Sequence, residues 1–372
     1  MFPTLGHMIP IPTFGFFMML SFVAAWWTFR SEYKRKEAEG LIHPLPAPRP
    51  IPIPLFLIGF IIGAKTTYWW INRSYFIGTL PDFLLSFRGN GIGGIATGLA
   101  TILIAWLYQR RQPPKPILAP HSTQTPPPGP TAQLIHPYQL MDRLLLSCGL
   151  AGFAGAILFA KLEDLSGLNY YGALIAGALT YLYINWKNGI PLTIAADIGS
   201  PGMMLAYSIG RLGCHLAGDG DWGIVNKTPQ PSWLHWAPAW TWSYTYPHNS
   251  IHQGVYIPGC TDNYCTQLPF PVYPTSFYEA VICLLLFAAL WTLRSRISRP
   301  GLLFAIFAIL NGIERFMIEF IRINPRYSIG GCNLSQAQII AIGWIITGFI
   351  TLSISGSKNQ ASRPTSSPHL KK

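Results

Sequence analysis

Nine largely apolar stretches with few charges recur along the chain, near residues 9–30, 52–72, 91–109, 143–161, 168–186, 191–212, 276–293, 301–322 and 336–355. Each approaches the roughly 20 residues that a helix needs to cross a hydrocarbon core. The pattern predicts an all-α polytopic membrane protein with about nine transmembrane helices. Charged positions gather between these stretches. Arg30, Lys34, Arg35 and Lys36 follow the first, Arg110, Arg111, Lys115 and Arg143 separate the third from the fourth, and Lys187 follows the fifth. Arg294, Arg296 and Arg299 follow the seventh, and Arg363, Lys371 and Lys372 lie past the ninth. If the spans alternate in direction, every cluster falls on one side, which places the N-terminus outside and the C-terminus in the cytoplasm. Residues 1–355 then read as a single integral membrane domain, and 356–372 as a cytoplasmic tail. The stretch 112–137, with its runs PPKP and PPPGP, reads as an extended Pro-rich cytoplasmic linker. Residues 214–275, rich in Trp, Tyr, Pro and His, form the one large outer loop.

Composition sharpens this picture. Of 372 residues, 50% are hydrophobic and only 11% charged, whereas a soluble domain carries about 25% charged residues. A soluble enzyme is excluded on that ground. The net charge of +12 sits in short clusters between apolar stretches instead of one stripe, so it sets topology and predicts no nucleic-acid partner. The first apolar run leads into the basic RSEYKRKEAEG segment without a small-residue cleavage site, so it is expected to stay as a helix. Six cysteines at 148, 214, 260, 265, 283 and 332 show no zinc spacing. Cys260 and Cys265 are either a small disulfide, if their loop faces an oxidising compartment, or two free thiols.

Candidate chemistry lies where polar groups are expensive. Ionisable residues inside a span mark function by default. The sixth span carries Asp197, then Pro201 and Gly202, which are expected to break the helix, then Arg211 at its outer end. The eighth carries Asn311, Glu314, Arg315, Glu319 and Arg322. At 3.6 residues per turn, Asn311, Arg315, Glu319 and Arg322 share one stripe, which predicts Arg315–Glu319 and Glu319–Arg322 pairs, while Glu314 sits on a neighbouring face. Arg315 is 14 residues beyond Gly301, roughly 21 Å up the helix. That is the depth of an outer-leaflet head group, and the same depth is expected for Arg211, Tyr170, Tyr171, Tyr278 and Glu279. Two arginines there suit a phosphodiester, because the guanidinium fork bonds bidentately and stays charged. His215, four residues beyond Arg211, is a candidate proton acceptor, with Asp219 fixing its tautomer. The GDGDWG run at 218–223 lacks the ligand set of a Ca²⁺ loop.

At these residues the chain resembles the bacterial prolipoprotein diacylglyceryl transferases. The segment SIGRLGCHLAGDGDWG (208–223) is similar to the family signature G-R-x-G-N-F-x-N-x-E-x-x-G, and PTSFYEA (274–280) to its P-S-Q-L-Y-E-A element. NGIERFMIEFIR (311–322) resembles the R-F-x-x-E-F-x-R block, and NYYGALIAG (169–177) the H-G-G-L-I-G block. The resemblance runs in order from about residue 8 to 355. It also implies that two spans and the proline linker, roughly residues 51–137, are inserted after the first helix.

The resemblance implies a reaction in the outer leaflet of the bacterial cytoplasmic (inner) membrane. Diacylglycerol passes from phosphatidylglycerol to the lipobox cysteine thiol of a preprolipoprotein, glycerol phosphate leaves, and a thioether remains. Membrane lipid and preprolipoproteins are then the partners, with no cofactor and no metal. Residue by residue, Arg211, His215, Tyr171, Arg315 and Glu319 are the catalytic candidates. Arg211, Asp219, Gly223, Tyr278, Glu279 and Arg322 are the substrate-binding candidates. Asp219 stands where the family has glutamate, with Asp221 the alternative because GDGDWG holds one extra residue. The chain departs from the family at Tyr171, in place of its histidine, at Cys214, in place of its asparagine, and at Asn311 and Phe14, in place of tyrosines. His215 is the candidate replacement for the missing imidazole. The alternative readings are a non-catalytic homologue that binds phospholipid or lipoprotein, and an ion-coupled transporter.

Overall fold

The computed structural model describes residues 1–5, 11–46, 59–60, 62–63, 65–67, 91–111, 134–162, 170–329 and 331–357. Eight helices dominate these residues: α1 (Thr13–Ala38), α2 (Gly91–Arg111), α3 (Met141–Leu162), α4 (Tyr170–Lys187), α5 (Leu192–Ala217), α6 (Thr275–Leu293), α7 (Leu302–Ile318) and α8 (Gln336–Ser357). They fall where eight of the nine apolar stretches predict them. Most of the second stretch, most of the proline linker and most of the C-terminal tail lie outside the described residues. Among the described residues, Thr275–Leu293 and Gln336–Ser355 are long and apolar enough to cross a membrane.

The chain packs as two units, residues 1–42 with 179–372, and residues 43–178. The second unit holds α2 and α3, and a short antiparallel pairing of Leu45–Pro46 with Leu134–Ile135. In the first unit α5 packs against both α1 and α6. A Cβ on Gly202 would fall 2.3 Å from the Phe29 ring, so only glycine lets α1 lie this close. Ser208 Oγ donates to the Ala280 carbonyl at 2.7 Å and ties α5 to α6. α7 and α8 meet through Gly312 and Gly348, whose Cβ atoms would crowd Ile345 and Ile309 respectively. Small residues of this kind let helix backbones approach where no hydrophobic effect drives them together.

The expected break at Pro201 and Gly202 does not occur, because α5 runs unbroken from Leu192 to Ala217 with Pro201 inside it. A proline removes one backbone donor, and the adjoining glycine is consumed in packing against α1. Asp197 has a structural task instead. Its two oxygens accept the backbone N–H groups of Gly301 at 2.7 Å and Phe304 at 2.8 Å, satisfying donors that the start of α7 leaves unpaired.

The burial pattern is inverted relative to a soluble protein. On α6 the buried positions include Thr275, Ser276 and Glu279, while Val281, Ile282, Leu284 and Leu285 are exposed. At the other end of this unit, fully buried Glu32 pairs with Arg35 at 2.6 Å and Arg294 at 3.2 Å. Between α5 and α6 the chain builds a cap around Trp222, Tyr246, Leu268 and Val272. A Cys260–Cys265 disulfide closes a small loop of the cap, which decides the alternative left open by the sequence.

Candidate active site

Three helices and one loop of the first unit converge on a single carboxylate. α5 brings Arg211, α6 brings Glu279, α7 brings Arg315, and the turn that follows α7 brings Glu319 and Arg322. Glu279 is fully buried. Its Oε2 lies 3.1 Å from Arg211 Nε and 3.0 Å from Arg322 Nη1, and its Oε1 lies 3.1 Å from Arg315 Nη1. The Tyr207 hydroxyl donates to the same Oε1 at 3.3 Å, and the Arg211 guanidinium lies 5.0 Å from the centre of the Tyr207 ring. Arg315 also pairs with Glu319 at 2.9 Å. Asp221, from the cap, bridges Arg211 and Arg322. Three guanidiniums are thus held by three carboxylates, of which Glu279 and Glu319 are buried and only Asp221 is about one-third exposed.

Local backbone geometry explains who pairs with whom. α7 ends at Ile318, and Glu319–Ile321 form a tighter 3₁₀ turn that leaves Arg322 extended. Arg322 therefore leaves the helical stripe, and the expected Glu319–Arg322 pair is replaced by bonds from Arg322 to Glu279 and Asp221. The second acceptor of Glu319 takes Asn324. Gly223 locks the cap to this turn. Its N–H donates to Tyr273 O at 2.9 Å, Ile224 N–H donates to Ile321 O at 2.9 Å, and a Cβ on Gly223 would fall 2.4 Å from the Ile321 carbonyl. Gly223 thus serves through its missing side chain.

Of the two aspartates of GDGDWG, Asp221 reaches the arginines. Asp219 stands behind it and accepts the Asp221 backbone N–H at 3.4 Å. Burial raises the Asp219 carboxyl above its usual range, and the neighbouring Asp221 charge adds to this. Burial would do the same to Asp221, but Arg211 and then Arg322 outweigh it and hold Asp221 below the usual range.

The Asp219–His215 link expected from the sequence is not formed. His215 is buried, its Nδ1 lies 3.1 Å from the Tyr246 hydroxyl, and its ring packs against Trp240, Tyr244, Tyr246 and Phe277. The helix ends two residues later, and the imidazole is turned into the aromatic base of the cap. Tyr278 donates to the Trp242 carbonyl at 3.5 Å, so it faces the cap while its neighbour Glu279 gathers the arginines. The side chain of Tyr171 lies outside the described residues.

Sequence reasoning missed Tyr207, whose signal was an aromatic one turn before Arg211, and it missed that Glu279 is the hub. Glu314 is buried with no hydrogen-bond partner for either oxygen among the described residues. Ligand atoms of Cys214, Asp219 and Asp221 lie within 4.8 Å of one another. Two guanidiniums on Asp221 oppose a cation there.

Comparison with known proteins covers the same part of the chain. The family described as prolipoprotein diacylglyceryl transferase matches residues 149–354. That interval contains every arginine and carboxylate of the cluster. A protein of Clostridium tetani named phosphatidylglycerol--prolipoprotein diacylglyceryl transferase is 32% identical over 202 residues, covering 54% of this chain and 69% of the relative. A relative from Clostridium perfringens, bearing that name with the number 2, is 28% identical and covers 52% of this chain and 65% of its own length. One from Beijerinckia indica with the same name is 26% identical over 236 residues, covering 60% and 74%. With more than half of its length matched and the arginine cluster inside the match, the chain belongs to the prolipoprotein diacylglyceryl transferase family.

Proposed function

We propose that this protein transfers the diacylglyceryl group of phosphatidylglycerol to the cysteine thiol of a prolipoprotein, an early step of lipoprotein biosynthesis. The observation that carries the reading is the convergence of Arg211, Arg315 and Arg322 on buried Glu279, with Asp221 as the one partly exposed carboxylate on their forks. Glu279 and Glu319 hold the guanidiniums in place. The phosphodiester approaches from the Asp221 side and meets Arg211 and Arg322, whose planar forks match its oxygens.

The thiolate sulfur attacks the glycerol carbon that bears the phosphate. The carbon–oxygen bond breaks, a carbon–sulfur bond forms, and glycerol phosphate leaves with its charge stabilised by the arginines. A free thiol has a pKa of about 8.5 and must lose its proton first. Asp219, with a raised pKa at the edge of the cluster, takes that role in this reading. His215 holds the cap on α5, and Tyr171 is the residue of the sequence that stands where the family pattern has histidine.

In keeping with the membrane character of the helices, the protein is read as a multi-pass protein of the bacterial inner membrane with nine spans, its N-terminus outside and its C-terminus inside. Its site opens at the outer leaflet. The test is reconstitution with phosphatidylglycerol labelled in its acyl chains and a peptide bearing the acceptor cysteine. Label on the peptide and glycerol phosphate in solution are expected. Lipid binding without either product would identify a non-catalytic homologue.

A further inference from the structure

Beside the arginine cluster the cap carries a groove of about 450 Å³, with Val225, Thr228, Trp242 and Phe270 among its walls. Its position is fixed by the same strand-like segment that fixes the site. Gly223 is bridged to Arg322, and Val225, two residues on, is bridged to Val272. Two residues of extended chain span about 7 Å, so the groove begins within that distance of Gly223, the bridge partner of Arg322. Its wall is joined to the cluster a second time, because the Trp242 carbonyl accepts both Asn226 Nδ2 at 2.8 Å and the hydroxyl of Tyr278, the neighbour of Glu279.

The lining has two characters. Val225 and Phe270 are exposed apolar side chains, 43% and 61% accessible. Lys227 and Ser243 add polar groups to the lining, while Asn226 and Gln230 hold the cap backbone in shape by bonding to the carbonyls of Trp242, Leu234 and Ala237. An acyl chain needs a continuous apolar wall, whereas an extended peptide presents alternating side chains and a backbone that must hydrogen-bond. The groove also lies in the cap, beyond the ends of the spans read from the sequence, where a polypeptide acceptor and not a lipid tail is the available occupant.

We infer that this groove is the acceptor-peptide site: it holds the segment flanking the substrate cysteine in extended form and presents the thiol to the arginine cluster. The inference rests on the transfer reaction proposed above. Phosphate recognition and peptide recognition are then divided between two neighbouring surfaces, the guanidinium forks and the cap groove, joined at Gly223.

The experiment uses the full chain in phospholipid nanodiscs. A photoreactive benzoyl-phenylalanine at position 270 should crosslink a prolipoprotein peptide in which the acceptor cysteine is replaced by serine, and unlabelled cysteine peptide should compete. In parallel, Phe270→Glu and Val225→Arg should raise the KM for peptide at least tenfold while the KM for phosphatidylglycerol changes less than twofold. A crosslink to phospholipid in place of peptide, or a raised KM for phosphatidylglycerol alone, would assign the groove to lipid and overturn the inference. So would an unchanged peptide KM with no crosslink. Because crosslinking needs no turnover, the two readings fail separately. Peptide capture by the position-270 variant, beside a wild-type protein that transfers nothing, sinks the reaction and keeps the peptide site.

Discussion

The first unit contains two buried ion clusters, and they are built differently. Around Glu32, on α1, the pairing closes largely on its own segment: Arg35 and Arg294 meet a fully buried carboxylate, and the exposed Glu39 pairs with Arg35 four residues before it. Around Glu279 the pairing stays open. Its three arginines come from different elements, and the carboxylate that bridges two of them is partly exposed on a cap loop. Glu39, the exposed carboxylate of the first cluster, reaches Arg35 and Lys36 of its own segment, whereas Asp221 draws together two arginines from different elements. Burying ion pairs is a poor route to stability, since desolvation offsets most of the Coulomb gain, so the open cluster is the one that calls for a functional account.

The largest effect separating the two belongs to the forks themselves. Arg211→Ala or Arg315→Ala should reduce transfer at least a hundredfold, the scale of removing a group that stabilises developing charge. Lysine at either position should restore little, because it lacks the planar fork. By contrast, Arg294→Lys at the closed cluster should leave kcat and both KM values within twofold. Radiolabel transfer by purified, reconstituted variants measures this, and lysine variants of Arg211 or Arg315 with normal rates would erase the distinction.

Glu279→Gln should come next. It leaves three guanidiniums around a neutral amide, and breaking a buried ionic hub by removing one partner costs about 3–5 kcal/mol. Both thermal stability and transfer should fall. Glu32→Gln should show a comparable loss of stability while the transfer rate per folded molecule is kept. Thermal unfolding in detergent, paired with activity normalised to folded protein, reads both. A Glu32→Gln variant that is stable but inactive would reverse the assignment of the two clusters.

These contrasts also show what the sequence could and could not reveal. Helix positions were legible because lipid demands long uncharged runs, and the cluster members were legible because charge inside such runs is rare. Partner choice was not. The helical stripe joined Glu319 to Arg322 on the assumption that α7 continues, and the 3₁₀ turn at Glu319–Ile321 redirects Arg322 to Glu279 and Asp221. Asp197 looked functional for the same reason as Glu279, yet its partners are backbone N–H groups 104 and 107 residues away, a long-range contact that no periodicity encodes. His215 shares a helix face with Arg211 on paper. Only the fold of the cap shows that four aromatic rings claim it.

Titration sharpens the comparison further, because the open cluster borders two loop carboxylates shifted in opposite directions. Asp221 is held low by Arg211 and Arg322. Its contribution to stability is therefore fully present above the unfolded aspartate pKa of about 3.9 and is lost as pH falls through its lower folded value. Asp219 is raised by burial, so it costs stability as pH rises from about 3.9 through its higher folded value. Asp219→Asn should relieve that cost above this window, and Asp221→Asn should remove the gain. Unfolding midpoints measured between pH 3 and 7 should then move in opposite senses for the two variants, and a shift of the same sign in both would mean that the arginines do not discriminate between them.

The smallest and most discriminating effect concerns the proton acceptor. If Asp219 takes the thiol proton, transfer should rise with pH along a limb set by its raised pKa, and Asp219→Asn should lower kcat and abolish that limb while leaving phosphatidylglycerol binding intact. His215→Gln should act differently. The imidazole touches Tyr246 and a ring of aromatics in the cap base, so its replacement should lower the unfolding midpoint by a few degrees and leave the shape of the pH–rate profile unchanged. The two substitutions lie four residues apart, one in the loop and one in the last turn of α5, and a pH–rate profile separates them even where both reduce the rate. If His215→Gln removes the acidic limb and Asp219→Asn retains it, the proton passes to the imidazole, and the aromatic enclosure must open during the reaction to admit the thiol.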